Sequence, residues 1–293
     1  MNDLVTPKRV FQPAREEAEV ANRPSESPQT QHPAYRLAFQ DMDFLLREDL
    51  RPVRFQLELL KPELMLDEAN IESTFVFYGS ARIPEPDKAH ALVENAATDF
   101  QRRVAGRLEE KAKYYDEARR LARIVSRVGP TDEGKRQFVV CSGGGPSIME
   151  AANRGAADEG EESVGLNIVL QHEQMPNPYV TPSLSFQFHY FALRKMHFLL
   201  RARAVAVFPG GFGTFDEMFE LLTLIQTGKV KPMPIVLFGR DFWERVVNWE
   251  ALAEEGVINP DDLGLFKFVE TAEEAWDYVR AYWSDKGETL VAA

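Results

Sequence analysis

The segment AVAVFPGGFGTFDE, residues 204–217, sets an apolar run, a glycine turn and two acids in immediate succession. The run stops at Pro209. Gly210, Gly211 and Gly213 follow, then Thr214, and Asp216 and Glu217 open a stretch with apolar residues at helical spacing. A helix N-terminus offers unpaired backbone N–H groups and a partial positive charge. Glycines ahead of it let the chain approach an anion closely, which is the chemistry of phosphate binding. Gly210, Gly211, Gly213 and Thr214 are therefore candidate phosphate ligands. A second apolar run ends in CSGGGPS, which makes Gly143, Gly144 and Gly145 a second candidate cradle. Two such turns on one sheet carry more weight than one, because any tight strand-to-helix turn tends to need glycine.

Glu217 admits two readings. Thr214-Phe215-Asp216-Glu217 has the spacing of a capping box, in which Glu217 would only reach back to a backbone N–H at the start of its own helix. Asp216 would then merely complement the helix dipole. The other reading turns Glu217 toward a ligand. The preceding helical stretch, FHYFALRKMHFLLRARA, carries Arg194 and Lys195 among Tyr190, Phe191, Leu193, Met196, Phe198 and Leu199. At least one of that adjacent pair must point near the apolar face. It does so either as a snorkelling cation or salt-bridge partner, or as an anion clamp with a planar guanidinium fork. Phe212, Met149 and Met196 are open to two uses as well, a ligand pocket or the core.

Several chemistries are disfavoured. GGGPSIME fails G-x-G-x-x-G, and Asp216 stands where the third glycine of that fingerprint would follow Gly211 and Gly213. No G-x-x-x-x-G-K-[ST] loop is present. His172-Glu173 does not continue as H-E-x-x-H, and the five histidines show no metal-ligand spacing, so no metal and no cofactor is expected. A formal net charge of −12 argues against a nucleic-acid surface. The single cysteine, Cys141, allows no intrachain disulfide and fits a reducing compartment. The N-terminus lacks the apolar core of a signal peptide, and no run is long enough for a membrane helix. The expectation is a cytoplasmic protein.

The chemistry-bearing residues need elements to hold them. Residues 1–34, rich in Pro, Glu, Gln, Ser and Arg, are expected to be mostly disordered. Residues 35–71 read as a helical extension, and a domain spans 72–285. Strands are predicted at 74–80, 138–145, 163–170, 184–188, 204–210, 234–239 and 267–270. Helices are predicted at 88–128, 146–158, 189–201, 214–227, 241–254 and 271–283. This alternation predicts an α/β fold, a Rossmann-like, doubly wound parallel sheet with helices on both faces. Ligands in such sheets bind beyond the carboxyl ends of the strands, and glycine stands at three of them, in YGSAR, CSGGGPS and FPGGFGT.

PGGFGTFDE matches the PGGxGTxxE signature of the LOG ("Lonely guy") family, which is often mislabelled as lysine decarboxylase. Arg194-Lys195, CSGGGPSIMEAANRGA and YGSAR resemble that family too, and GLNIVLQHEQMPNPYV and LTLIQTGKVKPMPIVLFG look like its longer bacterial branch. The resemblance covers roughly residues 72–283. It implies a phosphoribohydrolase that cleaves the N-glycosidic bond of a nucleoside 5′-monophosphate, AMP or a cytokinin nucleotide, to free base and ribose 5-phosphate. It further implies that Gly210, Gly211, Gly213 and Thr214 hold the phosphate, that Arg194 and Glu217 are the catalytic pair, that Lys195 lines the site, and that Glu173 is a further substrate-binding acid. A homo-oligomer, at least a dimer, is expected. The rival is a protein on the same fold that carries a nucleotide or phosphorylated cofactor without cleaving it.

Overall fold

The computed structural model describes residues 12–21, 27–170, 175–287 and 290. Two compact units divide it, residues 1–58 and 59–293. In the first lie α1 (Ala14–Ala21), α2 (Pro28–Gln31) and α3 (Met42–Leu45), none of which buries a residue. The division falls within α4 (Arg51–Glu68). Of the stretch expected to be disordered, residues 1–11 and 22–26 lie outside the described residues, and α1 and α2 occupy part of the remainder.

The second unit contains seven strands, one for each strand predicted. They are β1 (Thr74–Tyr78), β2 (Val139–Ser142), β3 (Val164–Ile168), β4 (Ser185–Phe188), β5 (Ala202–Val207), β6 (Ile235–Phe238) and β7 (Lys267–Val269). All pair in parallel, in the order β4-β3-β2-β1-β5-β6-β7. Every residue of β1 and β6 is buried, as doubly covered strands require. Between strands run α5 (Pro86–Glu94), α6 (Asp99–Glu109), α7 (Lys113–Ser126), α8 (Ile148–Asp158), α9 (Phe191–Leu200), α10 (Phe212–Gln226), α11 (Arg240–Val246) and α12 (Trp249–Glu254), and α13 (Ala272–Ser284) follows β7.

Side-chain alternation along the strands builds the two layers. Phe75 and Phe77 of β1, Ala204 and Ala206 of β5 and Val236 and Phe238 of β6 share one core with Leu121 and Val125 of α7, Ile148 and Ala152 of α8 and Ala275 and Val279 of α13. On the opposite face Tyr78 meets Phe198 of α9 edge-on, ring centres 5.1 Å apart. The doubly wound sheet is thus realised.

Three helix boundaries differ from the sequence reading. The single helix expected over 88–128 is three helices, because Thr98 and Gln101 form a capping box that starts α6 afresh. The helix expected over 241–254 is two, because the Asn248 side chain accepts from Ala251 N–H and caps α12. The third difference, at the start of α10, lies in the site.

Candidate active site

From β1 the chain winds outward through β2, β3 and β4, then returns to the other side of β1 with β5, β6 and β7. The reversal falls between β1 and β5, the position at which open parallel sheets form their ligand crevice. Ser80, just past β1, stitches the neighbouring turns together. Its N–H donates to the Pro209 carbonyl at 3.1 Å, and its carbonyl accepts from Ile148 N–H at 3.4 Å. The three glycine-bearing strand ends therefore meet in one place.

Helix α10 begins at Phe212, with Gly211 as its N-cap and no side-chain cap. Its first intrahelical bond runs from Phe215 N–H to Gly211 C=O at 3.0 Å, so the N–H groups of Phe212, Gly213 and Thr214 precede the ladder. The helix was expected to start at Thr214, and that expectation is corrected. Thr214 is buried within the first turn, and its side chain lies against Gly210 so closely that a β-carbon there would meet Oγ1 at 2.1 Å. No capping box forms at Thr214. Glu217 falls in the second turn, released from any duty to the helix end.

Its carboxylate turns to α9 instead. Arg194 Nη1 donates to Glu217 Oε1 at 3.1 Å, and Arg194 Nε donates to the Leu166 carbonyl of β3 at 2.7 Å. The Phe198 ring lies 5.0 Å from the guanidinium carbon. The two side chains are only 11% and 13% exposed. Burial dominates the carboxyl's proton affinity and pushes Glu217 up to about 7. The Arg194 charge opposes that rise without cancelling it, and Asp216 and Glu220 add to it. A carboxyl poised there can lose or hold a proton near neutrality, as acid–base and cation-stabilising groups in active sites do.

Lys195, beside Arg194, points elsewhere. Its ammonium pairs with Asp216 at 2.7 Å and Glu220 at 3.1 Å, tying α9 to α10. Burial opposes that charge, but the two carboxylates outweigh it and hold Lys195 above the usual lysine range. A lysine that forms a Schiff base needs a neutral amine, so this position is poorly suited to pyridoxal-phosphate chemistry.

The second glycine turn divides its labour. Gly143 borders Arg194, while Gly144 and Gly145 are buried, and their carbonyls accept from Asn177 N–H at 2.8 Å and Asn177 Nδ2 at 3.0 Å. Asn177 also donates to Asn153 Oδ1 at 2.9 Å, which accepts from Ser142 Oγ at 2.7 Å. Glu173 lies outside the described residues. Phe212, 97% exposed, and Met196, 45% exposed, are not core residues.

Sequence reasoning missed Tyr78, Cys141 and the Leu166 carbonyl. Burial, and then the Glu217 charge, push the Tyr78 phenol well above its usual range. Burial likewise pushes the Cys141 thiol up, against the pull of Arg194. Tyr78 had a signal, as the last strand residue before the Gly79 turn. A backbone carbonyl such as that of Leu166 leaves none.

Fold and site define a Rossmann-like α/β protein whose glycine turns and buried Arg–Glu pair meet at the topological switch point. A family model described as "Possible lysine decarboxylase" matches residues 149–279, which carry Arg194, the glycine turn of 210–213 and Glu217. That match agrees, over this segment, with the resemblance read from the signature. No curated protein matches the chain. Among solved structures, the crystal structure of TM1055, a structural-genomics target, is 19% identical with a TM-score of 0.46, covering 71% of this chain and 99% of that one. The molybdenum cofactor binding protein of the phototrophic bacterium Rippkaea orientalis is 16% identical, TM-score 0.42, with 72% and 98% covered. The Moco carrier protein of Chlamydomonas reinhardtii is 14% identical, TM-score 0.41, with 73% and 99% covered. Among the described residues no helix is long and apolar enough to cross a membrane.

Proposed function

We propose that this chain is a cytoplasmic N-glycosyl hydrolase that cleaves a nucleoside 5′-monophosphate, AMP or a cytokinin riboside 5′-monophosphate, to free base and ribose 5-phosphate. The observation that carries the reading is the Arg194–Glu217 pair, buried beside two glycine turns, with Glu217 poised at about 7. In this reading the 5′-phosphate takes hydrogen bonds from the N–H groups at the start of α10. The Glu217 carboxylate then stands one helical turn further on, beside the ribose. As the bond from C1′ to the base nitrogen breaks, its electron pair leaves with the base and the sugar becomes an oxocarbenium-like cation. A carboxylate beside C1′ stabilises that cation and takes a proton from the attacking water. Arg194 offers a fixed positive charge toward the departing base. Water supplies the hydroxyl to C1′, and the proton that the carboxylate takes up passes on to the departed base, which restores the carboxylate.

The reading includes a homo-oligomer, a second copy covering exposed apolar side chains of α9 and α10 such as Met196, Leu200 and Phe212. The rival reading is a carrier that binds a nucleotide or phosphorylated cofactor without cleaving it. It is favoured by the fact that Arg194 and Glu217 satisfy each other, as structural ion pairs do. The deciding experiment offers the chain a panel of nucleoside 5′-monophosphates and the matching nucleosides and measures free base by chromatography. Base and ribose 5-phosphate from AMP, with little from adenosine, support the hydrolase. Tight AMP binding with no base released supports the carrier.

A further inference from the structure

The charges that build this site do not balance. Arg194 is committed to Glu217, and Lys195 to Asp216 and Glu220. Two cations face three carboxylates, which leaves no surplus positive charge for a phosphate dianion. Backbone N–H groups supply hydrogen bonds and part of a charge, not a whole one.

One cation on the same loops is uncommitted. Arg82 stands two residues past Ser80, whose backbone bridges the turn after β5 and the start of α8. Arg82 N–H donates to Ser80 Oγ at 3.0 Å, which folds this residue back on the bridging serine. Its side chain is exposed. Among the described residues its guanidinium has no ion pair, hydrogen bond or ring partner, in a chain where the arginines of α7 and α8 are all paired with acids.

We propose that Arg82 is the residue that neutralises the phosphate of the bound nucleotide, closing over it from the β1 side while the start of α10 holds it from the β5 side. This rests on the reading of the site as one for a phosphorylated ribose. The guanidinium fork suits a phosphate's paired oxygens. The backbone is anchored on both sides of Arg82, at Ser80 and at the buried Ile83, whose carbonyl accepts from Ser147 Oγ, so the exposed side chain between them can swing without disturbing the sheet. Arg82 would act on binding, leaving Glu217 and Arg194 to act on the glycosidic bond.

Calorimetric titration of ribose 5-phosphate and AMP into the parent chain, Arg82→Ala and Arg82→Lys tests this. The expected result is at least tenfold weaker binding of both ligands to Arg82→Ala, an intermediate loss in Arg82→Lys, and unchanged thermal melting, since the side chain holds nothing in the fold. Where AMP is cleaved, KM should rise at least tenfold in Arg82→Ala with kcat within about twofold. Equal affinities for parent and Arg82→Ala would overturn the proposal, as would a lowered melting temperature that accounts for the loss. A parent that binds AMP without releasing base sinks the hydrolase reading, and the affinity ratio still decides the role of Arg82. A parent that binds neither ligand overturns both.

Discussion

Gly143 lies against the guanidinium of Arg194 so closely that a β-carbon on it would stand 2.7 Å from Nη2 and 2.8 Å from Met149 Sδ. The second glycine turn and helix α9 thus share one wall of the site, and the smallness of residue 143 sets the position of the arginine.

A methyl group there should therefore act on chemistry before it acts on stability. Gly143→Ala forces Arg194 off its bonds to Leu166 and Glu217. A loss of at least tenfold in kcat/KM for AMP is expected, about 1.4 kcal/mol, with the circular-dichroism spectrum preserved. An unchanged kcat/KM would show that Arg194 tolerates displacement.

Arg194→Lys keeps the charge and loses the fork. One ammonium on a flexible stem cannot reproduce the bonds to Leu166 C=O and Glu217 that Nε and Nη1 make together. The expected cost is tenfold or more in kcat/KM, measured by base release. A rate near that of the parent would leave Arg194 with a structural role only.

Glu217→Gln keeps shape and removes charge. Charge aimed at a developing transition-state charge is typically worth about 3–4 kcal/mol, so AMP should still bind and be cleaved at least a hundredfold more slowly. The capping-box account, in which glutamine would serve as well as glutamate, has already lost its geometric basis at Gly211. Full activity in this variant would remove Glu217 from the mechanism.

The poise of Glu217 gives two linked pH dependences. The carboxylate is the working form, so kcat/KM should rise between about pH 6 and 8 with an apparent pKa near 7. For stability the sign is opposite. The folded value lies above the ordinary 4.5, so the folded chain holds this proton where the unfolded chain has lost it, and stability falls as pH rises from 4.5 to about 7. The shift corresponds to about 3 kcal/mol at most. Urea unfolding at pH 5 and pH 8 should show this fall in the parent and a smaller one in Glu217→Gln. Equal slopes would place the titration elsewhere.

A second copy is expected to cover exposed apolar side chains of α9 and α10, among them Phe191, Met196, Leu200 and Phe212. Light scattering at micromolar concentration should give at least twice the chain mass, and Phe191→Asp should lower it. A monomer mass for the parent would end the idea.

Much of this was legible in the sequence, for identifiable reasons. Runs such as VAVF and PIVLF announce strands covered on both faces, and all seven strands lie where apolar pattern and glycine put them. Arg194 and Glu217 each stood out, because a cation in an apolar helix and an acid behind a glycine turn need an explanation, but only the resemblance to the LOG family named them as a pair. Their contact was not nameable, since it depends on how α9 and α10 lie across the sheet. Local rules also misled. Thr214 and Glu217 have the spacing of a cap, yet the extended backbone at Gly211 starts the helix earlier. Conversely, Thr98 and Gln101 do form a capping box, and it went unread inside a long run of helix-favouring residues. Lys195 was expected to line the site, and its pairing with Asp216 and Glu220 is a tertiary event that no spacing within one helix reveals.

Glu217, pushed up to about 7 by burial, makes ligand capture a proton-coupled event. A phosphate dianion arriving near this carboxyl disfavours its ionised form, so binding draws a fraction of a proton from solution. The heat released on binding then carries the ionisation enthalpy of whatever buffer gives up that proton. Titrations of the same nucleotide in MOPS and in Tris at pH 7 should differ in apparent enthalpy while agreeing in affinity. The difference at pH 7 should change in Glu217→Gln, where only the phosphate's own ionisation, with a second pKa of about 6, remains.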